Sequence, residues 1–160
     1  MTSASFENAA VPTAGQPAPD FTLPTTGTEP VTLSALRGQK VLLAFFPLAF
    51  TSVCTTEMCA FNDDYDTFAE AGVRVLPISV DSTASLKEFK AKYGLKTDLV
   101  SDFRRDVSRA YGVLLEDRFY SARAYFLIDG EGIVRWAHVE EVPRQRRENA
   151  EILAQIARLG

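Results

Sequence analysis

The chain has 160 residues, of which 46% are hydrophobic and 24% charged, values that are ordinary for one globular domain. Its 17 basic and 21 acidic residues give a net charge of −4, which argues against nucleic acid or an anionic membrane as a partner. No apolar segment approaches the roughly 18 residues of a membrane span, and the N-terminus lacks the basic start and apolar stretch of a secretory signal. We therefore expect a cytosolic protein.

The first predicted elements are strands. Residues 1–14 are small and polar, and we expect a flexible extension there, followed by one domain over residues 15–160. Two short strands are predicted at 21–23 and 31–33. The near-continuous apolar run at 40–46 is typical of a strand that is buried on both faces, so it belongs at the centre of a sheet.

The middle of the chain alternates helices with a strand. Residues 53–71 place apolar side chains at helical spacing, which predicts one long helix. A second buried strand is predicted at 73–80. The next apolar stripe predicts a helix that begins after Asp81 or Ser82 and ends at Gly94.

The last third predicts a hairpin and a closing helix. A short helix near 105–111 precedes strands at 121–129 and 132–139, which the turn sequence GEG joins. Apolar residues at helical spacing then predict a final amphipathic helix after residue 150. Strands that alternate with helices indicate an α/β fold, with a central mixed sheet, helices on both faces and an antiparallel final hairpin.

Both cysteines of the chain follow the strand at 40–46. On a helix with about 100° per residue, Cys54 lies on the apolar side in the first turn, whereas Cys59 lies about 140° away on the acidic side. A helix N-terminus favours negative charge, and such positions lower a thiol pKa from about 8.5 into the range of about 3.5–7.5. Cys54 is therefore a candidate nucleophile, with a packed core thiol as the alternative. For Cys59 the alternative is a tolerated small residue.

Three further residues are candidate neighbours of the Cys54 sulfur. Pro47 has no N–H group and, with the apolar residues beside it, can keep water away. The hydroxyl of Thr51 can donate and accept, as a small polar substrate requires, although a helix N-cap or turn role is the common alternative. Arg123 interrupts an apolar strand and needs an anionic partner there, such as a thiolate, unless it reaches solvent at the strand end.

These residues resemble a known family. The spacing PLAFTSVC, residues 47–54, fits the P-x-x-x-T-x-x-C signature of peroxiredoxins, and Arg123 falls where the active-site arginine of that family would be. The segments APDFTL, VTLSALRG, LPISVD and SDFRRDVSRAYGV are also similar to the family, from about Gln16 to the C-terminus. FFPLAFT resembles the alkyl hydroperoxide reductase E group, whereas the second cysteine five residues on resembles the bacterioferritin-comigratory (peroxiredoxin Q) group.

The resemblance implies a thioredoxin-like fold and reduction of hydroperoxides by Cys54, with no cofactor. It implies that Thr51, Arg123 and the backbone N–H of Cys54 hold the peroxide, that Pro47 limits water, and that Glu57 orients the arginine. It also implies that thioredoxin or a similar thiol donor recycles the enzyme. Family members of this kind are monomers or homodimers.

The resemblance also makes Cys59 the in-chain candidate to attack the sulfenic acid that peroxide leaves on Cys54. Residues i and i+5 of a helix have Cα atoms about 8.6 Å apart, beyond the roughly 7 Å that a disulfide allows. We therefore expect residues 54–61 to unwind before the bond forms. Thr55 and Thr56 are mediocre helix formers, which favours that step.

Other functions stay open. A redox-sensing module would use the same cysteines without fast turnover, and a one-cysteine peroxidase would take its resolving thiol from outside. A thioredoxin-like disulfide oxidoreductase is disfavoured because that chemistry uses C-x-x-C. A metal site of Cys54, Cys59 and His138 is disfavoured because His138 fits a strand edge better.

Overall fold

The computed structural model describes residues 8–159. The strands are, in chain order, β1 (Thr22–Leu23), β2 (Val31–Thr32), β3 (Lys40–Phe45), β4 (Val73–Ser79), β5 (Val100–Ser101), β6 (Leu114–Leu115), β7 (Tyr120–Ser121), β8 (Ala124–Ile128) and β9 (Val134–Val139). The helices are α1 (Ser52–Asp63), α2 (Tyr65–Glu70), α3 (Thr83–Tyr93), α4 (Asp106–Ala110) and α5 (Asn149–Ala157), and a 3₁₀ turn spans Leu33–Leu36.

A five-stranded sheet with the order β5-β4-β3-β8-β9 forms the centre of the molecule. β3, β4 and β5 are parallel, whereas β8 is antiparallel to β3 and β9 is antiparallel to β8. Apart from its first residue, β3 is buried along its whole length, as its apolar run predicts. The predicted central mixed sheet and the antiparallel final hairpin are therefore confirmed.

Helices cover both faces of this sheet. Side chains alternate along β3, so Leu42 and Ala44 point to one face and Leu43 and Phe45 to the other. The first face packs against α1, α2, α3 and α5. The second packs against α4, the 3₁₀ turn and the β1–β2 pair. The α/β class with helices on both faces is thus confirmed.

The single helix predicted over 53–71 is wrong, because the chain forms α1 and α2 with a break at Asp64. Asn149 at the start of α5 donates from Nδ2 to the Ala60 carbonyl at 3.0 Å and to the Asp64 carboxylate at 2.9 Å. This contact joins segments 85 residues apart, so no local pattern contains it. Tyr65, at the start of α2, is 39% exposed instead of buried in the predicted apolar stripe.

The strand predicted over 121–129 is also interrupted. Ser121 belongs to β7, which pairs with β6, and β8 begins only at Ala124. Ala122 and Arg123 lie between the two strands. β7 pairs with β6 and not with the main sheet, so Arg123 lies directly before the first residue of β8.

The predicted bounds of α3 are confirmed. Ser82 is its N-cap, with Oγ accepting from the Ser85 amide at 3.2 Å, and Gly94 ends the helix with a φ of 61°. Glycine suits that left-handed backbone because it lacks a Cβ.

The N-terminal segment is partly described. Asn8 contacts both the N–H and the carbonyl of Leu114, and the Ala9 amide donates to the Arg109 carbonyl at 2.8 Å. Residues 1–7 lie outside the described residues, and the flexibility of the extension over 1–14 stays a prediction. Between residues 8 and 159, no helix has the length and apolar character that a membrane span requires.

Candidate active site

The loop between β3 and α1 is held in a defined bend. The Ala49 amide donates to Oδ2 of Asp81 at 2.8 Å, and Phe50 adopts a left-handed φ of 68°. The hydroxyl of Thr51 then donates to the Leu48 carbonyl at 2.8 Å. Thr51 occupies the N-cap position of α1, but its side chain makes no capping hydrogen bond and bonds within the loop instead. Because its proton is used within the loop, its oxygen is left as an acceptor for a ligand.

Cys54 lies in the first turn of α1 and is 1% exposed. Its sulfur lies 3.1 Å from Nη2 of Arg123, which comes from 69 residues further along the chain. A charged N–H donor at this distance suits a thiolate as the acceptor. The helix places the thiol inward and Arg123, directly before β8, places its guanidinium against it, so the predicted pairing of Cys54 with Arg123 is present.

Arg123 is 1% exposed and its guanidinium is surrounded by acceptors. Nη1 lies 2.7 Å from Oε1 of Glu57, and Nε and Nη2 donate to the Pro143 carbonyl at 3.1 and 2.9 Å. Burial lowers the pKa of Arg123, but Glu57 and Cys54 raise it more, so it stands above its usual value. The arginine therefore stays charged and is fixed on three sides.

Glu57 is buried on α1 beside Cys54, one helical turn away. Oε1 pairs with Arg123, and Oε2 accepts a short hydrogen bond from the hydroxyl of Tyr125. Burial holds the pKa of Glu57 above its usual value, although Arg123 and Tyr125 act to lower it. Both contacts are donors, so the geometry suits the carboxylate ion. Glu57 thus contacts the arginine that the resemblance expects it to orient.

A depression of about 210 Å³ opens over the Cys54 sulfur. It brings together residues from the β3–α1 loop, the first turn of α1, the start of β8 and the segment after β9, among them Pro47, Thr51, Cys54, Tyr120, Arg123, Pro143 and Arg144. A larger groove of about 470 Å³ lies elsewhere, between α2 and β4, and has none of these residues in its wall. We place the candidate site at the smaller depression because the thiol and the guanidinium meet there.

Cys59 does not line this depression. It is half-buried on α1, on the wetter side that the helical wheel predicts, and Cys54 and Cys59 are both free thiols. Because α1 runs through both residues, their separation is that of an i, i+5 pair in a helix. His138, considered above as a metal ligand, lies in β9 with Nε2 3.1 Å from Oε1 of Glu140.

Sequence reasoning missed Tyr125 and the segment around Pro143. Arg123 and Tyr125 are two residues apart at the start of β8, and this spacing places both side chains on one face of the sheet. That alternation is the signal that would have found Tyr125. Pro143 has no such signal, because only the course of the chain after β9 brings its carbonyl to Arg123.

The fold and the site together define a class of protein. A buried thiol at a helix N-terminus, contacted by a buried arginine beside a mixed sheet, defines a thiol oxidoreductase on a thioredoxin-like scaffold.

Comparisons with known proteins define the family. The AhpC/TSA family model matches residues 14–137. The chain is 42% identical over 126 residues to the putative peroxiredoxin bcp of Coxiella burnetii, which covers 75% of this chain and 83% of the relative. It is 41% identical over 128 residues to peroxiredoxin 2 of Thermoplasma acidophilum, covering 76% of this chain but 64% of that protein. The crystal structure of the reduced 2-Cys peroxiredoxin of Plasmodium vivax matches with a TM-score of 0.86 and 34% identity, over 91% of this chain and 81% of that one.

The chain therefore belongs to the AhpC/TSA family and is a peroxiredoxin with a thioredoxin-like fold. This confirms the resemblance to peroxiredoxins. The Coxiella burnetii relative also confirms the similarity to the bacterioferritin-comigratory group. The similarity of FFPLAFT to the alkyl hydroperoxide reductase E group stays a prediction.

Proposed function

We propose that this peroxiredoxin, a thiol-dependent peroxidase by family, reduces hydroperoxides with Cys54 as the attacking thiolate. The observation that carries the assignment is the 3.1 Å contact between the Cys54 sulfur and Nη2 of Arg123, at the base of a depression that is open to solvent. A packed core thiol would have apolar neighbours only, whereas this sulfur accepts from a charged N–H donor, a contact that favours the thiolate.

The reaction is a displacement at oxygen. The Cys54 thiolate attacks the outer oxygen of the hydroperoxide, an S–O bond forms, and the O–O bond breaks. The leaving oxygen departs as hydroxide or alkoxide and takes up a proton to give water or an alcohol, while Cys54 becomes a sulfenic acid. Sulfur is oxidised by two electrons and the peroxide is reduced by two.

The surrounding groups stabilise the charge that moves during this displacement. N–H groups of Arg123 and the backbone N–H of Cys54 are donors for the oxygens as the O–O bond lengthens. The oxygen of Thr51 accepts the O–H of the peroxide, because its own proton is donated to the Leu48 carbonyl. Pro47 is buried beside them and offers no N–H to water. Positioning and charge stabilisation together supply the rate.

Cys59 is the proposed resolving thiol. It attacks the sulfenic sulfur of Cys54, a disulfide forms, and the sulfenic oxygen leaves as water. Because α1 is intact through both residues, its first turns must unwind. Contacts from other elements hold α1 in place beyond Cys59, so unwinding is expected to stop there. Asn149 donates to the Ala60 carbonyl, and the Lys96 amide donates to Oδ1 of Asn62 at 2.8 Å. We therefore propose that the unwinding segment runs from the start of α1 to Cys59, residues 52–59, instead of the predicted 54–61.

The disulfide is then reduced by thiol exchange with an external dithiol protein. Thioredoxin-type proteins are the reductants of the family, and thioredoxin or a similar thiol donor is the proposed partner here. The proposed form in solution is a monomer or a homodimer, as the family resemblance implies. Light scattering over a dilution series distinguishes the two states. A cytosolic location stays a prediction.

The decisive experiment is stopped-flow reaction of the reduced protein with hydrogen peroxide and with cumene hydroperoxide, for the wild type, Cys54→Ser and Cys59→Ser. We expect Cys54→Ser to be inert, and Cys59→Ser to react once at the wild-type rate but to lose recycling by thioredoxin. Full recycling of Cys59→Ser would instead indicate a one-cysteine peroxidase with an external resolving thiol. A wild-type rate no faster than that of free cysteine would indicate a redox sensor and would contradict the proposal.

A further inference from the structure

The segment between β9 and α5, residues 140–148, crosses the side chain of Arg123, and we call it the strap. The Pro143 carbonyl accepts from Nε and Nη2 of Arg123 at 3.1 and 2.9 Å. At the other end of the same residue, the Glu140 amide donates to the Arg123 carbonyl at 2.9 Å. Since Nη2 is also the atom that contacts the Cys54 sulfur, the position of the strap sets the position of that donor.

The strap is attached to the sheet through the hydroxyl of Tyr125. The Arg147 amide donates to this hydroxyl at 3.0 Å. The side chain of Arg147 reinforces the attachment, because Nε lies 2.8 Å from Oε2 of the buried Glu140. The strap is therefore closed on itself by Arg147 and Glu140 and joined to β8 by Tyr125.

The same hydroxyl reaches α1. It donates to Oε2 of Glu57, whose other oxygen pairs with Arg123 at 2.7 Å. One buried oxygen atom therefore contacts both supports of the guanidinium: Glu57 on the helix side and, through Arg147, the strap that carries Pro143. Tyr125 is 0% exposed, so water cannot take the place of these contacts without opening the core.

We propose that Tyr125 is a positioning residue for Arg123. Its hydroxyl fixes Glu57 and the strap together, and so holds Nη2 of the arginine against the reacting sulfur. The inference rests on the proposed role of Cys54 and Arg123 in peroxide reduction, and it adds a residue that never touches the substrate.

The physical reason is the cost of an unpaired buried group. Tyr125→Phe keeps the ring and removes the donor to Oε2 of Glu57, together with the acceptor for the Arg147 amide. Loss of the donor also removes one of the contacts that lower the pKa of Glu57, which weakens the charge that pairs with Arg123. Both supports of the guanidinium loosen at once.

Tyr111 provides a matched control. It is also 0% exposed, and its hydroxyl donates to the Pro19 carbonyl at 2.6 Å. It packs against the other face of the sheet, in the core that contains Phe45 and Phe126, and it makes no contact with the site described above. Tyr111→Phe therefore removes one buried hydroxyl and its hydrogen bond without loosening Arg123.

The test is stopped-flow oxidation of the reduced full chain by hydrogen peroxide, for wild type, Tyr125→Phe, Tyr111→Phe, Arg123→Met and the double variant Arg123→Met/Tyr125→Phe. We expect Tyr125→Phe to react about tenfold more slowly, and Tyr111→Phe to react at the wild-type rate even if its melting temperature falls as much. In the Arg123→Met background, Tyr125→Phe should cause no further loss. A purely structural role would instead add its effect to that of Arg123→Met.

Reduction of the preformed disulfide by thioredoxin is the second readout, and we expect it to be unchanged in Tyr125→Phe. If Tyr125→Phe does not fold, Arg147→Met tests the strap instead, with an expected loss of about threefold. A wild-type oxidation rate in the folded variant, or additive losses in the double variant, overturns the role of Tyr125 while leaving the peroxidase assignment intact. Reactivity that survives Cys54→Ser overturns the peroxidase assignment itself, so the two failures are distinguishable.

Discussion

Glu57 and Arg123 form an ion pair that is almost completely removed from water, with Nη1 2.7 Å from Oε1 and both side chains 1% exposed. An exposed pair contributes about 0–1 kcal/mol, whereas loss of one partner from a buried pair costs about 3–5 kcal/mol. The pair also joins α1, which carries the thiol, to the start of β8. It therefore contributes to the stability of the fold and to the geometry of the site.

Glu57→Gln is expected to lower the free energy of unfolding by about 3 kcal/mol, because Gln keeps the volume but leaves the buried guanidinium without its counter-ion. Urea unfolding, followed by the fluorescence of Trp136, measures the loss. Glu148→Gln is the control, since Glu148 pairs with Arg146 at 3.0 Å but is 71% exposed. The control should lose less than about 1 kcal/mol. Equal losses in the two variants would mean that the buried Glu57–Arg123 pair stabilises the fold no more than an exposed pair does.

Arg123→Met is expected to lower the rate constant for oxidation of Cys54 by hydrogen peroxide by about 10²–10³, because it removes a donor aimed at the reacting atoms. Arg123→Lys should recover only part of this rate, since a single ammonium cannot reach the sulfur, Glu57 and the Pro143 carbonyl together. Stopped-flow measurement with saturating reductant separates the variants.

Arg144→Met is the matched control for Arg123, because Arg144 lines the same depression but is exposed. It should change the rate by no more than about threefold. Complete rescue by Arg123→Lys would show that charge alone is sufficient, and that the planar geometry of the guanidinium is not needed.

Residue chemistry within short segments predicted the main parts of the site. Helical periodicity predicts that Cys54 points inward and Cys59 outward. In the structure Cys54 is buried and Cys59 is only half-buried, in agreement with this prediction. An arginine in an apolar run requires an anionic partner, and Arg123 has two. The apolar run at 40–46 predicted the central strand because it is continuous, is too short for a buried helix and is ended by Pro47.

Features that depend on distant contacts could not be predicted in the same way. The break at Asp64 is stabilised by Asn149, and the interruption before β8 depends on pairing with a two-residue strand, which is too short to leave a pattern. The Pro143 carbonyl acts through its backbone, so its residue type carries no signal at all. Contacts of this kind depend on the tertiary structure and leave no pattern in the local sequence.

Asp98 is expected to make the stability of the fold depend on pH. Its pKa is lowered from 3.8, first by the hydrogen bond from Lys90, whose Nζ lies 2.6 Å away. A carboxyl whose pKa is lower in the folded state stabilises the fold above its unfolded pKa, and this contribution is lost as the pH falls through the folded value. Asp98→Asn should therefore be less stable than wild type at pH 7, by less than about 1 kcal/mol because the side chain is 43% exposed.

The difference between wild type and Asp98→Asn should disappear as the pH is lowered below 3.8. Urea unfolding at a series of pH values from 7 downward measures it. Asp117→Asn, in the exposed turn between β6 and β7, is the control, since an exposed surface substitution changes the free energy of unfolding by less than about 0.5 kcal/mol. A difference that stays constant with pH would mean that Asp98 contributes through packing and not through its charge.

Asn149→Ala is expected to speed formation of the Cys54–Cys59 disulfide after peroxide treatment. Its Nδ2 holds the Ala60 carbonyl and the Asp64 carboxylate, and so fixes the end of α1 that lies directly after Cys59. Loss of these bonds makes unwinding easier by about 1 kcal/mol, or roughly fivefold in rate. Quenched-flow alkylation with peptide mapping follows the disulfide directly. Asn8→Ala also removes two side-chain hydrogen bonds to the backbone, but at Leu114, so it should leave the disulfide rate unchanged. If both variants form the disulfide at the wild-type rate, the clamp at Ala60 does not limit the opening of α1, and the boundary placed after Cys59 is wrong.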